Sequence, residues 1–280
     1  MNKADLYFLV QAKRILKQET EQETRAKWAD GSKTKTKAIF AALTRFDLSK
    51  EFPITTLRKQ YWKSAIKEVF WIHQKYSNNT KDLGLKIWDQ WADETGSIKK
   101  AYGYQAGKKY KWTDVPFECT QIERVLYLLK KDPASRRLRV TLINNEEVTE
   151  KALEECVHTM EFAVLDGKLN MILEQRSGDF AVAAGSGNWN EIQFSALQIA
   201  LAHCSDLKIG EFAHVTTNLH IYDKHETIVK EMLKLKPADK VPFMKLKEGT
   251  TKDFFKITEQ DFELINYYPQ TEIKDLEVAG

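Results

Sequence analysis

The chain is poor in cysteine, proline and glycine, with three, six and twelve of them in 280 residues. The cysteines, Cys119, Cys156 and Cys204, are widely spaced, odd in number and form no CxxC pair. That argues against a disulfide framework and against a cysteine-based zinc site. No apolar run approaches the ~18 residues of a membrane helix. The start, Met1-Asn2-Lys3-Ala4-Asp5, has no apolar signal core. Excess charge is also missing, since 43 basic and 40 acidic residues leave only +3. This balance argues against a nucleic-acid partner and leaves room for a local basic site for a small phosphate. Low-complexity tracts, internal repeats and a convincing linker are lacking as well. The expectation is a soluble, cytoplasmic chain in a reducing setting, with neither membrane nor metal.

What is present is apolar mass. Hydrophobic residues make up 42%, with 14 Phe, 10 Tyr and 7 Trp, enough for a sizeable core. Helical spacing predicts helices over residues 5–24, 60–74, 120–131, 191–204 and 224–233, and a short one over 83–91. Asp132-Pro133 stops the third of these. Strands are predicted over 39–48, 138–143 and 215–222, with a short β-rich piece at 52–56 and a turn at Asp30-Gly31. Elements mix without a regular βαβ cadence, which favours an α+β fold in one domain spanning 1–280, a mixed sheet with packed helices.

The densest chemistry follows Cys156. Strands at 162–164 and 169–173 flank Asp166-Gly167, a two-residue hairpin turn. The hairpin would return Arg176 to the cysteine, and a nearby arginine lowers a thiol pKa. Each part alone has a bland reading. Cys156 is most simply a buried thiol; Arg176 and Arg136-Arg137 are most simply solvated cations; Trp88 and Trp91 are most simply core. His220 and Tyr222 alternate on a strand and so share a face. Glu68 is less bland, because a carboxylate within Ile66, Val69, Phe70 and Trp71 is costly unless it has a function or a partner.

The order of the motifs decides between these readings. They run Arg25-Ala26-Lys27-Trp28, Phe52-Pro53-Ile54-Thr55-Thr56-Leu57, Lys63-Ser64-Ala65-Ile66-Lys67-Glu68, Ile87-Trp88-Asp89-Gln90-Trp91 and Ala101-Tyr102-Gly103. They continue through Asp132-Pro133-Ala134-Ser135-Arg136-Arg137, Gln175-Arg176-Ser177, Leu219-His220-Ile221-Tyr222, Asp253-Phe254-Phe255 and Asp261-Phe262-Glu263-Leu264. This series resembles the thymidylate synthase family over nearly the whole chain, most nearly the synthases of low-GC Gram-positive bacteria and their phages.

The resemblance implies a thymidylate synthase-like fold, a two-fold dimer through the sheet, and two small molecules as partners, dUMP and 5,10-methylenetetrahydrofolate. It implies that Cys156 is the nucleophile adding to C6 of the pyrimidine, and that Glu68 is the general acid/base working through waters. Tyr102 would stand near the proton leaving C5, and Asn190 would read the pyrimidine edge and favour dUMP over dCMP. Arg25, Arg176 and Ser177 match phosphate contacts, while Arg136 and Arg137 match arginines reaching into the partner subunit's phosphate site. His220 and Tyr222 match contacts to the deoxyribose. Ile87, Trp88, Trp91, Asp179, Trp189 and Ala279 match the folate side of the cavity, with Asp179 also bordering the nucleotide.

Departures from the family pattern cluster near the chemistry. Glu155 stands where Pro usually precedes the nucleophile, and a carboxylate there opposes thiolate formation if it lies close. Val157 replaces a common His, a minor change. Residues 180–189 form a longer, Gly-rich loop, with Trp189 where Phe is common. Gly280 ends the chain where Val or Ile is usual. These changes leave three readings. The first is reductive methylation to dTMP. The second is a 5-hydroxymethylase acting on dUMP or dCMP, in which water adds to the methylene intermediate. The third is a catalytically impaired nucleotide-binding homologue.

Overall fold

The computed structural model describes residues 1–273 and 276–280. Helix α1 (Lys3–Leu16) starts at an Asn2 cap whose side chain accepts the Asp5 N–H, and it buries Phe8, Ala12 and Ile15. It ends well short of 24, because Lys17-Gln18-Glu19-Thr20-Glu21 offers no apolar face to continue it. The polar residues that follow form an edge hairpin instead, β1 (Gln22–Lys27) and β2 (Lys33–Asp47). The 52–56 piece is not a strand. It is a buried segment tied down by Asp5, which accepts from the Thr55 hydroxyl at 2.7 Å, the Thr56 N–H at 2.8 Å and the Thr56 hydroxyl at 2.6 Å.

Helix α2 (Trp62–His73) matches its periodicity and carries Glu68 on a buried face. The helix expected over 83–91 divides in two. The one-turn α3 (Thr80–Leu83) is stopped by Gly84 at φ +66°, and a 3-10 turn follows over Lys86–Trp91. The one-turn α4 (Gly103–Ala106) and a two-residue ladder, β3 (Lys109–Tyr110) with β4 (Cys119–Thr120), lead to α5 (Gln121–Lys131). A Thr120/Glu123 capping box opens α5.

Strands β5 (Arg139–Thr141), β6 (Val157–Leu165) and β7 (Lys168–Asp179) come next, and a five-residue π-turn over Phe180–Ala184 joins β7 to α6 (Trp189–Cys204). Helix α6 is buried nearly all round, polar Glu191, Gln193, Ser195 and Gln198 included, and it forms the centre of the core. After it come β8 (Lys208–Tyr222), α7 (Glu226–Met232) and a closing hairpin of β9 (Phe243–Leu246) and β10 (Phe262–Ile265).

The main sheet runs β1-β2-β8-β7-β6-β5. Only the β7–β8 pair is parallel, so the sheet is mixed and the class is α+β as expected. The major core, with Val69, Phe70, Val125, Leu129, Leu173, Leu197 and Leu201, lies between the sheet and α2, α5 and α6. A smaller cluster gathers Trp71, Trp88, Ile98 and Tyr102. It positions the residues discussed next. Among the described residues no helix is long and apolar enough to cross a membrane.

Candidate active site

Cys156 stands at the mouth of the β6–β7 hairpin, whose turn residues Asp166 and Gly167 both have positive φ, +50° and +69°. The pairing brings Val157 opposite Gln175, and the Arg176 N–H donates to the Cys156 carbonyl at 2.9 Å. The hairpin therefore does return Arg176 to the cysteine. The guanidinium, however, donates to backbone carbonyls, Nε to Glu155 at 3.1 Å and Nη2 to Glu154 at 2.9 Å. The expected thiolate bias is corrected accordingly. Burial pushes the Cys156 thiol above its ordinary value, Arg176 pulls it down by less, and Glu154 and Glu155 push it up slightly.

Glu155 does not confront the thiol. Its carboxylate turns to the Lys151 ammonium at 2.5 Å, with the two side chains 1% and 2% exposed. It also accepts the backbone N–H of Tyr102 at 3.1 Å. Tyr102 in turn takes the Cys156 N–H on its hydroxyl at 3.0 Å. Its backbone sits at φ +31°, a strained angle for a side-chain-bearing residue. The Glu155–Tyr102–Cys156 sequence of contacts thus clamps the cysteine loop to the start of α4, with Lys151 neutralising the buried acid.

Glu68 lies beneath this cluster. Its Oε1 accepts the Trp88 indole N–H at 2.8 Å and its Oε2 accepts the Trp189 indole N–H at 2.5 Å. Burial raises its pKa to about 7, against the lowering effect of Trp189, Trp88 and Gln193. At neutral pH both protonation states are populated, the condition a proton-transfer group needs. The Trp88 ring centroid lies 5.2 Å from Tyr102 and 5.3 Å from Trp91. Ile87 is exposed on the same turn.

Asn190, in the first turn of α6, accepts from Gln175 Nε2 at 3.2 Å and donates to Gln193 Oε1 at 3.0 Å, so its amide is oriented. Asp179 Oδ1 caps the π-turn by accepting from Ala181 and Val182 at 2.9 and 3.3 Å. Its Oδ2 is buried with no protein partner. His220 and Tyr222 share a face of β8, with ring centroids 4.9 Å apart. Burial holds His220 below the usual imidazole range and Tyr222 up at about 12. Ser177 pairs with Asn218 of β8 in the ladder, two residues from Asp179.

The chain's end closes back on β1. Lys27 and Gly280 exchange backbone hydrogen bonds of 2.8 and 3.1 Å. A side chain added at Gly280 would come within 3.6 Å of the Trp91 indole nitrogen. Ala279 is therefore held next to the Trp88–Trp91 cluster. The 180–188 loop is closed rather than open. Asn188 bonds to the Phe180 carbonyl at 2.8 Å and to Gln60 at 2.9 Å. The Gly187 carbonyl accepts from Thr55 at 2.9 Å.

Three predicted phosphate residues stand apart from this assembly. Arg25 is exposed on β1. Arg136 and Arg137 line a separate concavity of about 360 Å³ with Arg124, Arg139 and Glu161. Among the described residues, Arg176 is the one cation acting on Cys156. Sequence reasoning missed Lys151, Gln193 and Arg58. Lys151 carried a legible signal, a cation four residues before Glu155, and Gln193 lies one helical turn beyond Asn190. Arg58 is buried, which lowers its pKa to about 10, while the Asp179 charge acts against that shift.

The chain is similar to known proteins along most of its length. Residues 7–279 match the family model described as thymidylate synthase. Thymidylate synthase 1 of Bacillus subtilis (strain 168) is 36% identical over 252 residues, 88% of this chain and 88% of that protein. The thymidylate synthase of Bacillus phage phi3T matches to the same extent, 36% over 252 residues and 88% of each chain. The solved structure of thermostable thymidylate synthase A from Bacillus subtilis superposes with a TM-score of 0.89 at 34% identity, covering 99% of both chains.

Proposed function

The chain belongs to the thymidylate synthase family, and from that premise we propose that it transfers a one-carbon unit from 5,10-methylenetetrahydrofolate to C5 of dUMP, giving dTMP, through covalent attack by Cys156. The observation that carries this reading is the placement of Cys156 against Tyr102 and Arg176, in a chain that also buries Glu68 at a pKa of about 7.

In this reading the Cys156 sulfur adds to C6 of the pyrimidine as a thiolate. The cost of ionising it in a buried site falls on Arg176 and on the bound substrate's environment. Asn190, oriented by Gln175 and Gln193, offers one acceptor and one donor to the N3–H and O4 of uracil. Arg176 and Ser177 take the phosphate, and Arg25, exposed on the edge strand β1, is a further cation for it. His220 and Tyr222 take the deoxyribose. Glu68 and Tyr102 hold and move protons, Glu68 at its carboxylate and Tyr102 at a hydroxyl that burial keeps protonated.

The folate supplies the carbon and the hydride, and the residues present fit it. The buried Asp179 Oδ2 lacks a partner that a ring N–H would provide. Trp88 and Trp91 offer aromatic surface, and Ile87, Trp189 and Ala279 border the same space. Arg136 and Arg137, exposed away from their own cysteine, suit a role in a partner subunit's phosphate site. Phe40 at 79% and Leu43 at 50% exposure give β2 an apolar surface of the kind a two-fold dimer covers.

Hydroxymethylation is a second reading, favoured by one observation: Gly280 places no side chain against Trp91, where water would have to be excluded. Incubation with dUMP and methylenetetrahydrofolate separates the two. Formation of dTMP with dihydrofolate supports the first. 5-Hydroxymethyl-dUMP with tetrahydrofolate overturns it. Cys156→Ala should abolish turnover while nucleotide affinity persists, and substantial residual turnover would refute the nucleophile assignment.

A further inference from the structure

We propose that Trp189 is a positioning residue for Glu68, delivered by the long 180–188 loop: its indole N–H holds one carboxylate oxygen while Trp88 holds the other. This deepens the reading above and rests on it in one respect, that Glu68 handles protons.

The geometry is specific. Trp189 Nε1 lies 2.5 Å from Glu68 Oε2 and Trp88 Nε1 lies 2.8 Å from Oε1. Gln193, one turn along α6 from Trp189 and Asn190, also acts to lower the pKa of the same carboxylate. A carboxylate has about four acceptor directions. With one on each oxygen taken by an indole, each oxygen keeps a direction for a proton to arrive or leave. A phenylalanine at this position would have no N–H to give.

The loop explains how the indole reaches its place. Asp179 caps the π-turn, and the Asn188 side chain is held from both ends by the Phe180 carbonyl and Gln60. Gly187, at φ +74°, donates its N–H to Glu191 at 2.5 Å. Trp189 is the next residue but one, so its ring direction follows from a fully bonded backbone. An extended loop that merely added freedom would leave these groups unpartnered.

The charges around Glu68 are few. The titratable group facing it is Tyr102, at the start of α4, kept protonated by burial. The 86–91 turn contributes Trp88, and α6 contributes Trp189 and Gln193. Neither α3 nor the 259–261 turn places a charged group among those acting on it. Its ionisation is therefore governed by burial and by these donors. A buried acid whose folded pKa lies above its unfolded value stabilises the fold less as pH rises from 4.5 towards 7. Removing a donor to the ionised form raises the folded pKa further and carries that loss to higher pH.

The test is a double-mutant cycle on thermal midpoints between pH 5.5 and 9, with wild type, Trp189→Phe, Glu68→Gln and the double variant. Replacing the indole leaves a void that lowers every midpoint equally at all pH values. The expected specific signal is a pH-dependent part, with the Glu68 transition moved upward by about one pH unit in Trp189→Phe and abolished in the Glu68→Gln background. The pH profile of kcat should move by the same amount with KM for dUMP little changed. The proposal is overturned if Trp189→Phe changes the midpoints by the same amount at every pH, or if the pH-dependent part survives Glu68→Gln. The stability cycle needs no turnover. If it shows the coupling while no dTMP forms, the positioning role stands and the reaction assignment falls.

Discussion

Gly187→Ala is the substitution whose cost the structure specifies most closely. Gly187 adopts φ +74°, and a Cβ there would lie 2.3 Å from the Thr55 nitrogen and 2.8 Å from both Ala4 Cβ and the Ile54 carbonyl carbon. An alanine pays ~1 kcal/mol for the left-handed angle. Backbone cannot move aside as a flexible side chain would, so overpacking adds ~1–3 kcal/mol. Displacing the Thr55–Gly187 hydrogen bond adds ~1 kcal/mol. The expected loss is about 3–5 kcal/mol. Gly31→Ala is the matched control, since Gly31 has φ +81° with nothing within 4 Å of its added Cβ. It should lose only ~1 kcal/mol. Urea unfolding at one fixed protein concentration measures both, as midpoint shifts at unchanged slope. Because Trp189 follows Gly187 so closely, Gly187→Ala should also lower kcat, whereas Gly31→Ala should not. Equal destabilisation by the two alanines would refute the reasoning, because then the angle and not the contact with residues 54 and 55 sets the cost.

His73 should make the protein acid-sensitive. It is fully buried, neither ring nitrogen has a protein partner, and burial lowers its pKa to about 3. Stability is complete above the unfolded value near 6.5 and falls as the unfolded chain takes up a proton, by on the order of 2 kcal/mol between pH 6.5 and 5. His73→Leu should flatten that part of the curve in chemical denaturation, and an unchanged slope would count against it. Subunit exchange tests the shared arginines. Mixing inactive Cys156→Ala with inactive Arg136→Ala should restore about a quarter of wild-type activity, since half the dimers are hybrids with one complete site. No recovery after verified exchange would exclude a site completed by the partner.

Much of the fold was legible because its signals are local. The α2 and α6 periodicities, the Asp132-Pro133 stop and the Asp166-Gly167 turn each depend on residues a few positions apart. Misreadings arose where local signals were weak or were overridden. Residues 17–21 have no apolar face, so α1 stops and an edge strand begins. Residues 52–56 read as β-rich, but Asp5 binds them from a distant part of the chain. Gly84 divides a segment that looked like one helix.

Within the site, the motif order singled out Cys156, Glu68, Asn190 and the β8 pair, and the resemblance supplied their roles. The chemical states of those groups depended on packing. Arg176 returned to Cys156 as the hairpin required, yet burial outweighed its charge at the thiol. Glu155 looked like an obstacle to catalysis until Lys151 was found paired with it. The sequence by itself determined the hairpin that frames Cys156 and the family. Tertiary structure decided which charges are neutralised and which oxygen of Glu68 each indole holds. Trp189 and Glu68 are 121 residues apart along the chain, and desolvation depends on everything packed around a group, which no local pattern records.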